Sequence, residues 1–323
     1  MRNARKSLKS WFGLSLLLAT WSGLFIGCSK PGKPVPATVT NPFLVDELEE
    51  KYHRYKELYS SQQDASGYIS SRECDSLLFT GLLGAVLPEG IDIRAAEKSP
   101  GEWTRRPLVD GKDTCYPESS KSTISRDMFT GLFWYAWRNQ RLDILEDIWD
   151  YGVDNSWVMG SGAPSRIYLT PNARGTLAEA IYRLGGDDHF IRSAPQVRGR
   201  TVGVEAVLDY LSIQMWAEMR GGIHEGELDL MAHHAQREPR NALARYIHSK
   251  YTDGIQDAAL KVLLDTSLFP EDRLPTTLDR GEPFLWIRDD GKDWQPKAGE
   301  VHTHPGADFL YVAHMILKDL GRL

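Results

Sequence analysis

Three aspartates stand where apolar helices are predicted to begin: Asp75, Asp127 and Asp308. Glycoside hydrolysis needs two carboxyl groups about 5 to 10 Å apart, acting as acid and as base or nucleophile. Helix starts gathered around one rim would supply such a pair. The alternative is N-capping, because an aspartate at a helix start accepts from free backbone N–H groups and complements the helix dipole. Asp127 is the best catalytic candidate, since Ser125 and Arg126 make its helix start unusually polar.

The predicted loop 100–125 carries side chains suited to holding a ligand. An aromatic face such as that of Trp103 stacks on sugar rings, and the forked donors of Arg105 or Arg126 hold hydroxyls or carboxylates. These three residues are therefore predicted binding residues. The alternative is a surface loop that Trp103 and a disulfide pin to the body.

The histidines gather in the C-terminal half, as His224, the pair His233 and His234, and the pair His302 and His304. A His-x-His pair followed by a carboxylate is compatible with zinc. Its spacing is not that of a strong zinc motif, so no metal site is predicted. The alternatives for each histidine are a hydrogen-bonded core residue or a surface residue, and a proton carrier with a tyrosine partner, Tyr116 or Tyr251. We predict His224 as a further binding residue.

The first thirty residues differ from the rest of the chain. Four basic residues and no acidic one precede an apolar stretch from Trp11 to Ile26. This charge order is typical of a signal peptide, and the stretch is short for a membrane-spanning helix, which needs about 20 apolar residues.

The junction Leu24-Phe25-Ile26-Gly27-Cys28-Ser29 resembles the lipobox of bacterial lipoproteins, although Phe25 stands where that family usually has Leu. The resemblance implies cleavage after Gly27, diacylation of Cys28 and a place in the bacterial cell envelope. Because Ser29 and not Asp follows the cysteine, it also permits sorting to the outer membrane of a Gram-negative host. Two or three acyl chains give a stable membrane anchor. The alternative is an uncleaved anchor with an incidental cysteine.

Two cysteines remain if Cys28 carries lipid, namely Cys74 and Cys115. An even pair in an oxidising compartment is compatible with a disulfide. Separate thiols are the alternative, because a bridge requires the two Cα atoms to lie within about 7 Å.

Residues 28–42 contain four prolines and little to bury, which predicts an extended or polyproline tether. Without residues 1–27 the chain carries 34 basic and 44 acidic side chains, a net charge of −10. This acidic balance disfavours a nucleic-acid partner.

Residues 43–323 are predicted to form one all-α domain with long loops. Helical spacing of apolar residues begins at Phe43, and strand signals such as that of 283–288 are weak. The predicted later helices lie near 73–87, 125–138, 141–151, 174–184, 203–219, 226–236, 240–249, 255–264 and 307–320.

A short internal sequence repeat indicates a repeated architecture, because Phe-Thr-Gly-Leu occurs at both 79–82 and 129–132. The helix starts at Arg174 and at Asp308 are similar. On these features the chain resembles the α/α toroids, barrels of helical hairpins that include many polysaccharide hydrolases and lyases. The resemblance implies inner helices whose polar ends face a central cleft, and small residues such as Gly81 and Gly131 at close helix contacts.

The working hypothesis is an envelope lipoprotein whose helical domain offers a loop-lined cleft that binds, or also cleaves, a carbohydrate. A non-catalytic binding or scaffold lipoprotein for a protein or glycan partner is the alternative. Phosphate-binding loops, dinucleotide fingerprints and the serine-hydrolase elbow are missing from the sequence, and no cofactor is predicted.

Overall fold

A computed structural model describes residues 31–69, 76–112, 123–160, 167–187, 204–237, 239–276 and 306–323, and most of these described residues lie in helices. The prediction of a mainly helical protein is confirmed. Within these ranges lie ten α-helices: α1 Phe43–Ser60, α2 Ser76–Gly84, α3 Arg126–Arg138, α4 Leu142–Asp154, α5 Pro171–Arg183, α6 Val204–Arg220, α7 Glu225–Arg237, α8 Ala242–Lys250, α9 Asp257–Leu264 and α10 Ala307–Asp319.

The described strands are short and form two antiparallel pairs. Strands β1 (Glu97–Ser99) and β2 (Glu102–Trp103) form the first pair, and β3 (Val158–Gly160) and β4 (Ile167–Tyr168) form the second. The predicted strand signal at 283–288 lies outside the described residues.

Local sequence accounts for the helix bounds. Helix α3 begins one residue after the predicted start and ends at the predicted residue. Helix α5 begins three residues before the predicted start, because the Thr170 hydroxyl accepts from the Ala173 N–H (3.2 Å) and Pro171 occupies the first helical position. Asn241 caps α8 in the same way, through the Ala244 N–H (3.1 Å).

Helices α2 and α3 pack closely and run in the same direction. A β-carbon on Gly81 would lie 2.5 Å from the Gly131 carbonyl, and one on Gly131 would lie 2.3 Å from the Leu78 carbonyl. Further along both helices, the Asn139 side-chain amide donates to the Gly84 carbonyl (2.9 Å). The two glycines thus permit backbone contact between the helices.

Helix α10 is buried along most of its length and runs parallel to α3 and α6. The Tyr311 ring packs against Trp134 of α3, and the Tyr311 hydroxyl donates to Gln214 of α6 (3.0 Å). One turn later Arg138 of α3 contacts both Met315 and Glu218. Helix α1 runs the opposite way along α10, since Tyr55 contacts Phe309, Tyr52 contacts His314 and Asp46 pairs with Arg322.

The remaining helices form antiparallel hairpins. The start of α4 meets the end of α5 near Leu142 and Gly186, and the end of α4 meets the start of α5 near Trp157 and Arg174. Helix α7 folds back along α6, and α9 folds back along α8 after the turn 251–256. Helices α2, α3, α5, α6, α8 and α10 therefore share one direction, whereas α1, α4, α7 and α9 run the other way.

Packing links the six codirectional helices in a closed order. Helix α2 packs on α3, α3 on α5, α5 on α6, α6 on α8, α8 on α10, and α10 on α2. We call the end at which these six helices begin the N-terminal face, and the opposite end the C-terminal face.

Residues 31–40, predicted as part of a tether, are extended but attached to the helical body, with which they form one compact unit. We call this segment the strap. Its attachment uses backbone groups, which explains why a segment with few apolar side chains can dock. The hydrogen bonds are Gly32 N to Ile223 O (2.7 Å), Ile223 N to Gly32 O (2.9 Å), Val35 N to Lys250 O (2.8 Å), Thr38 N to Gly254 O (2.9 Å) and Gln256 N to Thr38 O (3.0 Å).

Among the described helices, none combines the length and apolar character that a membrane crossing requires. The predicted leader, 1–27, lies outside the described residues.

Candidate functional site

The recurring helix starts noticed in the sequence belong to α2, α3, α5 and α10. Because these helices share one direction, their starts lie together at the N-terminal face. The predicted catalytic residues Asp127 and Asp308 and the predicted binding residue Arg126 all belong to first turns there. This face is the candidate functional site.

At the start of α3, Asp127 lies beside the polar residues Ser125 and Arg126. The Ser125 hydroxyl donates to Asp127 Oδ1, while the Ser125 carbonyl accepts from the Met128 N–H (3.2 Å). Asp127 is half-buried and Arg126 is exposed. The Ser125 side chain makes no capping bond to the helix backbone, so it orients the Asp127 carboxylate. The first turn of α3 thus presents one acidic and one basic side chain at the N-terminal face.

Arg105 lies between the starts of α2 and α3. Its carbonyl accepts from the Leu77 N–H (2.8 Å), and its own N–H donates to the Thr123 carbonyl (3.2 Å). These two bonds tie the segment after β2 to both helix starts. The half-buried Arg105 side chain thus belongs to the same face as Arg126.

Trp103 does not offer the exposed aromatic face expected of a binding residue, because its side chain is fully buried. It ends strand β2, and the neighbouring Thr104 hydroxyl donates to the Ala96 carbonyl (2.9 Å), which extends the pairing of β2 with β1 by one residue. The expectation that Trp103 contacts a ligand is therefore wrong for this structure. Its place agrees with the alternative in which Trp103 pins the loop.

Asp308 is buried in the first turn of α10. The helix is preceded by Gly306, whose φ of +64° places it in the left-handed region and on which a β-carbon would lie 3.1 Å from the Leu274 side chain and 3.3 Å from the Tyr55 ring. Burial makes Asp308 a less accessible carboxylate than Asp127.

His224 lies at the C-terminal face, away from the other predicted site residues. It precedes α7, and its backbone N–H donates to the Glu227 carboxylate (3.0 Å). This is one half of a capping box, so the structure gives His224 a local role at a helix start. His224 and Arg126 therefore lie at opposite faces of the helical body.

Arg174 adds a basic group to the N-terminal face. Its guanidinium lies over the Trp157 ring, 5.1 Å from the centroid, and Gly152 and Trp149 contact the same indole. Because Arg174, Gly152 and Trp149 pack against the Trp157 ring, this tryptophan holds Arg174 in place and does not offer a free aromatic face to a sugar. The helix-start pattern in the sequence included Arg174 but did not indicate this stacking.

A second polar cluster lies inside the body toward the C-terminal face. Arg138 donates to Glu218 (2.9 Å), and its guanidinium lies over the Trp134 ring. Burial raises the pKa of the Glu218 carboxyl above its usual range, although the charge of Arg138 opposes the shift. Burial likewise raises the pKa of Tyr311. These groups connect α3, α6 and α10.

The last turns of α8 and α10 meet beside this cluster. The Lys250 ammonium donates to the Tyr246 hydroxyl (2.7 Å) and to the Asp319 carboxylate (2.8 Å), and Tyr246 also donates to Asp319 (2.9 Å). A cation in the last turn of a helix complements its dipole, as Lys250 does for α8. This arrangement fixes α8 against α10.

Neither cluster was predicted from the sequence. The available signal was a charged residue at the end of each very apolar helix: Arg138 in α3, Glu218 in α6 and Asp319 in α10. Their association depends on the relative direction of helices far apart in sequence, which local patterns do not encode.

A groove of about 560 Å³ runs between α8 and α9. Its carboxylates are engaged within the protein, for example Asp257 with Thr40 and Asp253 with the Ile255 N–H. Arg240 and Lys261 line it and form no ion pair within the described ranges. The groove is thus a mixed-charge surface beside the strap, separate from the Asp127 group.

The described part of the chain contains no cluster of three or more histidine, cysteine, aspartate or glutamate side chains suited to a metal. Asp75, Cys28, the pair Cys74 and Cys115, and the histidines at 302 and 304 lie outside the described residues. Comparison of the chain with models of known protein families and with curated proteins gives no match.

Proposed function

We propose that this protein is a bacterial envelope lipoprotein, anchored through lipid on Cys28, whose helical body binds a carbohydrate at its N-terminal face. The observation that carries the proposal is the common direction of α2, α3, α5 and α10, which brings Arg126, Asp127 and Arg174 to one face. The anchor is supported by the leader and by the Gly27-Cys28 junction.

An α/α-toroid-like arrangement is part of the proposal. It is supported by six codirectional helices that pack in a closed order and by four helices that run the opposite way. The backbone contact at Gly81 and Gly131 supports it as well, since small residues let neighbouring inner helices approach closely. Such a ring gives its N-terminal face the convergent helix starts that a binding cleft needs.

Carbohydrate fits the chemistry of this face. Arg105, Arg126 and Arg174 supply forked donors, and Asp127 supplies an acceptor, so hydroxyl groups can be bound from both sides. Each helix start also carries a partial positive charge of roughly half a unit, and codirectional helices add theirs at one face. We therefore expect a preference for acidic sugars, despite the net charge of −10 left after removal of residues 1–27.

A glycan array probed with soluble protein that begins at Ser29 tests the binding proposal. The strap is part of the folded body, so it must be kept. We expect binding to uronate-containing glycans, lost in Arg126→Ala and retained in Arg322→Ala, a surface control on the C-terminal face. Absence of glycan binding by the folded wild-type protein would refute the proposal.

The same glycans test cleavage. If a bound glycan is shortened, Asp127→Asn should abolish the cleavage and leave binding measurable. If bound glycans stay intact, the function is binding alone. The anchor is tested separately by mass spectrometry of the N-terminal peptide, which should show acyl chains on Cys28.

A further inference from the structure

We propose that the C-terminal face of the helical body lies against the lipid bilayer, so that the N-terminal face points away from the membrane. The proposal rests on the proposed lipidation of Cys28. It adds a membrane-facing surface and a fixed orientation, which lipidation through a free tether would not supply.

The strap attaches at the C-terminal face. Gly32 pairs with Ile223, three residues after the end of α6, and the Val35 N–H donates to the carbonyl of Lys250, the last residue of α8. The strap then follows the turn that leads into α9, where Thr40 binds Asp257 through its N–H (2.9 Å) and its hydroxyl.

Chain length then limits the distance from the anchor to this face. Cys28 precedes Gly32 by four residues, and an extended chain spans at most about 3.6 Å per residue, so their Cα atoms lie within about 14 Å of each other. A free tether over all of 28–42 would reach about 50 Å by the same measure. Acyl chains on Cys28 would therefore hold the C-terminal face close to the bilayer.

Exposed apolar side chains occur at this face. Phe43 is 77 % exposed at the start of α1, Leu323 is 48 % exposed after α10, and Ile255 is 39 % exposed beside the strap. Such side chains can enter the interfacial region of a bilayer. Acidic residues such as Asp46 and Glu47 share the face and would repel anionic lipid. Binding through the acyl chains and the apolar side chains does not depend on lipid charge. Phosphatidylcholine vesicles are therefore a sufficient probe.

Two glycines make room for the strap. A β-carbon on Gly222 would lie 2.7 Å from the Gly32 carbonyl oxygen, and one on Gly254 would lie 2.3 Å from the Pro36 carbonyl oxygen. Gly222→Ala should therefore displace the strap. Gly226→Ala is the matched control, since its β-carbon would meet no atom within 4 Å.

Lysine acetylation of the acylated protein, with and without phosphatidylcholine vesicles, tests the orientation. Lys318, in the last turn of α10, should react several-fold more slowly on vesicles. Lys98 in β1 and Lys112 lie on either side in sequence of Arg105, which is bonded to the helix starts at the N-terminal face, so they should react at unchanged rates. In Gly222→Ala the protection of Lys318 should be lost, and in Gly226→Ala it should persist. Protection of Lys98 or Lys112 equal to that of Lys318 would overturn the proposal.

Mass spectrometry of the same preparation separates the two proposals. If Cys28 is unacylated, the anchor fails and the orientation proposal fails with it. If Cys28 is acylated and Lys318 stays fully reactive on vesicles, the orientation alone is refuted.

Discussion

Gly81 and Gly131 bring two helix backbones into direct contact, since a β-carbon on the first would lie 2.5 Å from the carbonyl of the second. The contact lies midway along α2 and α3. It fixes the position of one helix relative to the other along their common axis, and so aligns their first residues. The positions of Arg105 and Asp127 relative to each other follow from it.

Gly131→Ala should therefore destabilise the protein. The new methyl group would overlap the Leu78 backbone, which cannot move aside as a flexible side chain could. Overpacking of this kind costs about 1 to 3 kcal/mol. Urea unfolding measures it, with Gly226→Ala as a control that should gain up to about 1 kcal/mol from helix propensity. A neutral Gly131→Ala would contradict the described packing of α2 on α3.

Arg138→Met should destabilise the protein because it leaves the Glu218 carboxylate without its cation. The two side chains are 22 % and 18 % exposed, so we expect a loss of about 2 to 4 kcal/mol, somewhat less than for a fully buried pair. The pKa of Glu218, already raised, should rise further. The loss of unfolding free energy relative to the wild type should consequently be smaller at pH 5 than at pH 8, because a protonated Glu218 carboxyl does not need a cation beside it. Adding Glu218→Gln should restore much of the stability; no recovery in the double variant would refute the coupling.

His314 should make the protein less stable in mild acid. Burial lowers its pKa to about 4, and its Nδ1 lies 2.9 Å from the Tyr52 hydroxyl. Between pH 6.5 and about 4 the unfolded chain binds a proton that the folded chain does not, so stability falls as pH falls, by at most about 3 kcal/mol. His314→Gln should flatten this part of the profile in urea titrations, whereas the exposed control His53→Gln should not. An unchanged profile in His314→Gln would contradict the assignment.

Lys51→Met should stabilise the protein at neutral pH. Lys51 is 1 % exposed, its Nζ has no hydrogen-bond partner within the described ranges, and it lies 5.7 Å from the Phe309 ring centroid. Desolvation lowers its pKa to about 8. Removing an unpaired buried ammonium should gain about 1 to 3 kcal/mol.

The Lys51→Met advantage should shrink from pH 8 to pH 10, because the folded wild-type protein loses the Lys51 proton while the unfolded chain keeps it. Above pH 10 buried tyrosines such as Tyr52 dominate, since burial raises the pKa of Tyr52 to about 12. The exposed control Lys56→Met should show neither effect. A pH-independent difference between Lys51→Met and the wild type would count against a buried, titrating ammonium.

The helices could be predicted from sequence because burial repeats along them with the helical period, as α3 and α4 show with bounds within a few residues of the prediction. The resemblance of their helix starts to those of α/α toroids implied a common face for Asp127 and Asp308, but the sequence does not indicate whether the two carboxylates converge. The burial of Trp103 could not be predicted, because the loop composition says nothing about which side faces the body. The attachment of the strap could not be predicted from the sequence either, since it depends on backbone hydrogen bonds and on the space that Gly222 and Gly254 leave.

Titration calorimetry with the glycan selected on the array tests the central claim most directly. If the ligand sits at the N-terminal face, Arg126→Ala and Arg174→Ala should each weaken binding by at least about tenfold, equivalent to 1.4 kcal/mol per charged hydrogen bond lost. Arg322→Ala, at the opposite face, should bind like the wild type. Equal affinity in all three variants would contradict a binding site formed by the codirectional helix starts.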